Sequence, residues 1–115
     1  MRLRWRSTGR WDTGSPGDAV KNDVALQLCR AARSIPANIA EGVNQTNSTV
    51  ETKRFLGMAS RSCDEVRVWL SFCRDLSLLP AATAGQWEQE YAEIGAMLYR
   101  LWQNWRRLDS GASGE

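Results

Sequence analysis

Apolar positions along the chain fall into three long runs at helical spacing. In the first, Val24, Leu28, Ala31 and Ile35 recur at steps of four, three and four, one stripe on one helix face. Ile39 and Ala40 carry the stripe past Pro36. This predicts a helix from near Asp18, a candidate N-cap, with a kink at the proline and a stop at Gly42. Residues 43–48 are turn-forming, and Ser48 with Glu51 has the spacing of a capping box. The second run holds Phe55, Met58/Ala59, Ser62, Val66, Trp69/Leu70 and Cys73. It predicts a helix over about 49–78, with Pro80 just beyond its end. The third run, Trp87, Tyr91, Ile94, Leu98, Leu101 and Trp105, is close to an ideal seam. It predicts a helix over about 84–108, opened by a second capping pair, Thr83 and Gln86. No stretch of useful length alternates with the period of two that a strand needs. The chain reads as all-α, an up-and-down antiparallel bundle with short loops.

Two segments lie outside this pattern. Residues 1–17 lack either periodicity and are punctuated by Gly9, Gly14, Pro16 and Gly17, which predicts a flexible arm. Four arginines against Asp12 make that arm basic, at net +3, whereas residues 18–115 carry 11 bases against 12 acids. The arm reads as a loose tail or the product of a displaced start; its Arg-Trp alternation would also suit stacking on nucleic acid. Residues 109–115 are polar and predict a disordered end, leaving 18–108 as one helical domain.

Composition narrows the chemistry. With 115 residues, 43% hydrophobic and 24% charged, the chain has the profile of a single soluble domain with its own core. No apolar run approaches the roughly 20 residues that cross a bilayer. Histidine is absent, which removes Ser-His-Asp and Cys-His machinery, imidazole acid–base chemistry and His-ligated metals. Cys29, Cys63 and Cys73 form no CxxC and are odd in number, so buried free thiols in a reducing cytoplasm are expected. No phosphate-loop, dinucleotide or zincin motif occurs. Ser34, Ser62 and Ser71 have no histidine to activate them, so no enzyme, cofactor or metal site is expected.

Three groups of residues invite a functional reading. On the second helix Lys53, Arg67 and Arg74 share one flank, and Arg54 and Arg61 another, a candidate phosphate-tracking surface. The competing reading is an ordinary solvated face, with Glu51–Arg54, Asp64–Arg67 and Arg61–Glu65 as intrahelical ion pairs. At the end of the third helix, Arg106 and Arg107 flank Trp102 and Trp105. Trp102 lies about 100° round the helix from Leu101, which suits a subunit interface, the edge of the core or, less readily, a base-stacking surface. In the proline segment, Asn38 is placed to satisfy a carbonyl freed by Pro36, and Glu41 to accept from Arg33 or a neighbouring backbone.

The segment Ser34-Ile35-Pro36-Ala37-Asn38-Ile39-Ala40-Glu41-Gly42 resembles the signature of the bacterial four-helix-bundle proteins encoded in intervening sequences of large-subunit ribosomal RNA genes, often labelled ribosomal proteins. Arg54-Phe55-Leu56, Met58-Ala59, Ser62, Glu65, Asp75-Leu76, Glu93-Ile94-Gly95 and Met97-Leu98 agree with it, over about residues 24–105. Two features depart from the family. Its opening amphipathic helix is missing here or replaced by the arm, and Arg61 precedes Ser62 where glycine is common. The resemblance implies a bundle that assembles with copies of itself, as pentamers, without enzymatic activity. It also implies RNA or a nucleoprotein as partner. A related branch of accessory proteins, serving the reverse transcriptases of diversity-generating retroelements, has a similar ending to EIGAMLYRLWQNW. A structural oligomer without nucleic-acid affinity, and a relic that does not fold alone, are the competing expectations.

Overall fold

The structure is a computed structural model. It describes residues 4–6, 10–12, 18–44 and 48–113, with side chains over 18–44 and 48–105. Three helices dominate: α1 (Asp18–Asn44), α2 (Thr49–Asp75) and α3 (Ala81–Ser113). Ahead of them lies a ribbon of two three-residue strands, β1 (Arg4–Arg6) and β2 (Arg10–Asp12), antiparallel with Trp5 opposite Trp11. The sequence pattern predicts no strand there, because three residues are too few to display an alternation. β2 lies against α1. The class is all-α, as the periodicity requires.

α2 is the central element. It packs on α1 along one flank and on α3 along the other, while no Cα of α1 comes within 8 Å of one in α3. Both neighbours run antiparallel to it: Ser34 meets Ser62 and Gly42 meets Phe55 on one side, and Arg74 meets Glu88 and Cys63 meets Gly95 on the other. Among the described residues the largest fully buried side chains, Leu56, Cys63, Val66 and Leu70, all belong to α2. Being covered from two directions, α2 buries a wider arc than a single stripe, and this is why Leu56 and Cys63 join the core beside the positions its periodicity marks.

The α1–α2 contact explains the signature segment. Ser34, Asn38 and Gly42 are spaced by four and share one line of α1. Asn38 Nδ2 donates to Ser34 Oγ at 2.9 Å, the Ser34 and Ser62 hydroxyls lie 2.9 Å apart, and Ser62 Oγ donates to the Met58 carbonyl at 3.0 Å. This relay satisfies the hydroxyl of Ser62, which is buried. One turn on, a methyl group at Gly42 would stand 2.8 Å from Phe55 Cβ, so only glycine allows this approach. Thr52 Oγ1 lies 2.9 Å from the Gly42 carbonyl. Gly42 is therefore not the helix stop expected of it: α1 continues to Asn44, and the residue is kept for close packing. Pro36 stays inside an unbroken helix, exposed. It deprives the Ala32 carbonyl of its usual donor. Asn38 Nδ2 also donates to the Ser34 carbonyl, at 2.8 Å. Ile35 points into the core, Ile39 packs against it half-buried, and Ala40 and Glu41 are exposed, so the apolar stripe does not include Ala40.

The helix ends follow local chemistry. Ser48 caps α2, accepting from the Glu51 N–H at 3.3 Å. α2 stops at Asp75, three residues before the expected end. Ser77 adopts a left-handed φ of 59°, its N–H reaches the Arg74 carbonyl at 3.1 Å, and the Leu78 N–H reaches that of Cys73 at 2.8 Å. That pair of bonds is a Schellman closure. α3 begins at Ala81 rather than near 84: Pro80, whose fixed φ suits a helix entry, offers its carbonyl to the Ala84 N–H at 3.0 Å. Thr83 thus lies within the first turn and opens no capping box. α3 continues to Ser113, past the boundary expected at 108.

Along α3 the expected seam divides. Leu98 is buried and Tyr91 and Trp105 are half-buried against the core, but Trp87, Ile94 and Leu101, seven apart on one line, are each 38% exposed. Cys63 and Cys73 are buried free thiols; Cys29 is exposed, contrary to expectation, because it lies off the buried face of α1. Among the described residues no helix is long and apolar enough to cross a membrane.

Candidate nucleic-acid interface

The antiparallel pairing of α2 and α3 brings the first half of one beside the middle third of the other. Where they meet, Val50, Lys53, Arg54, Gly57 and Arg61 of α2 and Trp102 of α3 line a shallow groove of about 350 Å³. Lys53 Nζ stands 4.3 Å from the centre of the Trp102 ring, a cation–π contact. Tyr99, one turn back on α3, stacks on the same indole with ring centres 5.9 Å apart and planes 23° from parallel. Trp102 is half-buried and also packs against the core, so its orientation is fixed from several sides. Tyr99 keeps 52% of its surface exposed.

The charges of the groove differ in how far they are already engaged. Arg54 Nη2 donates to Glu51 at 2.9 Å and its Nε lies 3.2 Å from the same carboxylate oxygen, and its guanidinium covers the Phe55 ring at 4.6 Å. The hydrogen bonds from Arg54, helped by its charge, hold the Glu51 carboxyl below its ordinary range. Arg61 is exposed, and no acid among the described residues pairs with it. Glu65, its expected partner one turn on, instead accepts from Trp69 Nε1 at 3.3 Å. Gly57 leaves the floor between Lys53 and Arg61 open, with the Arg61 guanidinium 3.7 Å from where a methyl would stand.

The other cations of α2 lie elsewhere. Arg67 is 3.8 Å from Asp64 and lines a separate concavity with Val68, Phe72 and Ala92. Arg74 bonds Glu88 of α3 at 2.9 Å, fastening the two helices at their turn. Lys53 is thus separated from Arg67 and Arg74, with which it shares a flank, and grouped with Arg54 and Arg61 across the helix. Arg106 and Arg107 belong to α3, but their side chains lie outside the described residues. Trp105 packs against the core, apart from the groove. Tyr99 escapes the sequence reading, although its spacing of three from Trp102 on one helix is the signal that would find it. No three acidic or cysteine side chains among the described residues converge as metal ligands.

No curated protein and no solved structure matches the chain. A family model does, over residues 16–100, which takes in α1, α2 and the greater part of α3 together with the relay at Ser34, Asn38 and Ser62 and the close approach at Gly42. That family is a small helical one, not one of known enzymes. On this match, the chain belongs to the 23S rRNA-intervening sequence proteins.

Proposed function

We propose that the chain is a non-enzymatic helical module that associates with copies of itself and binds RNA, or a nucleoprotein that presents RNA, in the cytoplasm. The observation that carries the RNA reading is the meeting of Lys53, Arg54 and Arg61 with Trp102 in one groove. Cations supply attraction to phosphate, and the stacked pair of Trp102 and Tyr99 beside them supplies an aromatic platform for bases. The family match, to proteins encoded within ribosomal RNA genes, points the same way. Titrating structured RNA at two salt concentrations tests it. Binding that weakens steeply with salt and is lost in a Lys53→Glu/Arg61→Glu double variant is expected. Absence of binding at low salt defeats the reading. Removing residues 1–17 separates any contribution of the basic arm.

Self-association rests on a different observation. Three helices, α2 with α1 and α3 on its flanks, leave one corner of a four-helix arrangement unfilled, between α1 and α3, and the Trp87–Ile94–Leu101 line is left partly uncovered. The resemblance to four-helix bundles makes that corner the place of the family's first helix, here filled by another copy, with a pentamer as the family pattern. A purely structural oligomer draws on this surface alone, and a retroelement reverse transcriptase is the alternative nucleoprotein partner. Sedimentation at several concentrations measures the assembly; a helical monomer at all of them removes it.

A further inference from the structure

We propose that the groove reads RNA as a single strand, with one unpaired base stacked on the open ring of Tyr99. This rests on the RNA-binding reading above and adds to it the form of RNA that the site selects.

The aromatic column supplies the first argument. Both Lys53 and Tyr99 already take up the Trp102 ring. The more open of the two rings is Tyr99, which adjoins the groove through Trp102 and is more than half exposed. A base laid on it extends a stack of two rings whose inner member, Trp102, is held by the core and by Lys53. Little side-chain freedom is lost on binding, because Trp102 is already held. A ring at the surface of a helix reaches a base only when that base is unstacked, since in a duplex both faces of each base are covered by neighbours.

The charges supply the second. Lys53 and Arg61 lie eight residues apart on α2, about 12 Å along its axis. That span exceeds one nucleotide step, so the two cations can meet different phosphates of one strand. Arg61, without an acid partner among the described residues, is the cation best placed to meet a phosphate, whereas Arg54 is shared with Glu51 and Phe55. A duplex would meet these cations by its backbone alone, because the deep, narrow major groove of A-form RNA excludes the side chains of a helix face.

The test is a titration of the full chain with a ten-nucleotide single-stranded RNA of mixed sequence and with the same sequence embedded in a duplex of about thirty base pairs, in which few bases have an open face. The wild type should prefer the single strand. Tyr99→Ala should weaken single-strand binding by about fivefold or more, the lower end of what one stacked base contributes, and leave duplex binding within about twofold. Tyr99→Phe, which keeps the ring, should retain the preference. Equal wild-type affinity for both forms overturns the proposal, as does a Tyr99→Ala variant of native helicity that binds the single strand unchanged. If Lys53→Glu/Arg61→Glu still abolishes binding in those cases, the RNA reading stands while the strand selectivity falls. Failure of the wild type to bind either RNA at low salt removes both. Should Tyr99→Ala lose its helical spectrum, the wild-type preference decides alone.

Discussion

α1 and α3 flank the same central helix with apolar stripes of similar regularity, yet they are covered to different degrees. Of the α1 stripe, Val24, Ala31 and Ile35 are buried, and Leu28 and Ile39 are half-buried. Of the six α3 seam residues only Leu98 is buried. The difference lies in width and in fit. α1 meets α2 through a narrow line of small and polar residues, Ser34, Asn38 and Gly42, which lets the backbones approach and ties them with hydrogen bonds. α3 carries two adjacent apolar lines, 91/98/105 and 87/94/101, and α2 covers the first. Periodicity identifies the apolar face of a helix. It does not say how much of that face the same chain can cover.

The largest effect should come from truncating equivalent residues on the two sides. Ile35→Ala empties a site that is 6% exposed and should cost about 3 kcal/mol. Ile94→Ala, at 38% exposed, should cost under about 1 kcal/mol in a dilute monomer. Urea denaturation at two protein concentrations sharpens the contrast. If copies cover the α3 line, the cost of Ile94→Ala rises with concentration while that of Ile35→Ala holds. Equal costs for the two variants in dilute solution would break the comparison.

The helix–helix approaches give a second pair. Gly42→Ala would set a methyl 2.8 Å from Phe55 Cβ, an atom held by the α2 backbone, so the helices must part. Overpacking of this kind costs about 1–3 kcal/mol, and the better helix propensity of alanine returns about 1. A net loss of up to about 2 kcal/mol is expected. At Gly95 the added methyl meets Cys63 Cβ at 3.3 Å, which a shift of a few tenths of an ångström relieves. The propensity gain should then leave Gly95→Ala within about 0.5 kcal/mol of wild type. A thermal melt of each distinguishes these outcomes, and a Gly42→Ala variant more stable than wild type would contradict the packing account of the signature segment.

These contrasts also mark how much was legible in the sequence. The three helices were, because each apolar run is long enough for its period to dominate, and the Ser48 cap was, because its chemistry is local. A glycine near a helix end has two uses, and at Gly42 only the position of Phe55 decides between them. The early start of α3 was missed because Thr83 and Gln86 form a good capping pair that Pro80 pre-empts. For the site, the cations were visible one by one, but their grouping with Trp102 depends on the register of α2 against α3, which no local pattern encodes. Arg67 and Arg74 are engaged by Asp64 and Glu88, and Tyr99 lies off the seam that the apolar period marks.

The smallest effect belongs to the two buried thiols, which sit on opposite sides of the comparison. Cys63 faces the α3 side, beside Gly95, while Cys73 is close enough to α1 to feel Cys29. Burial pushes both thiols up from the ordinary value of about 9, with Asp64 adding to the shift at Cys63 and Cys29 at Cys73. In the unfolded chain the proton leaves first, so these groups take nothing from stability below about pH 9. They reduce it progressively as pH rises from there towards the folded values. At neutral pH Cys29 alone should react promptly with a thiol reagent, since it is the exposed one. The buried pair should then report local opening of each side. With α3 the less covered neighbour, Cys63 should label faster than Cys73, and replacing Cys63 with alanine should flatten part of the alkaline loss of stability. Faster labelling of Cys73 would mean that α1, despite its closer fit, is the helix that opens first.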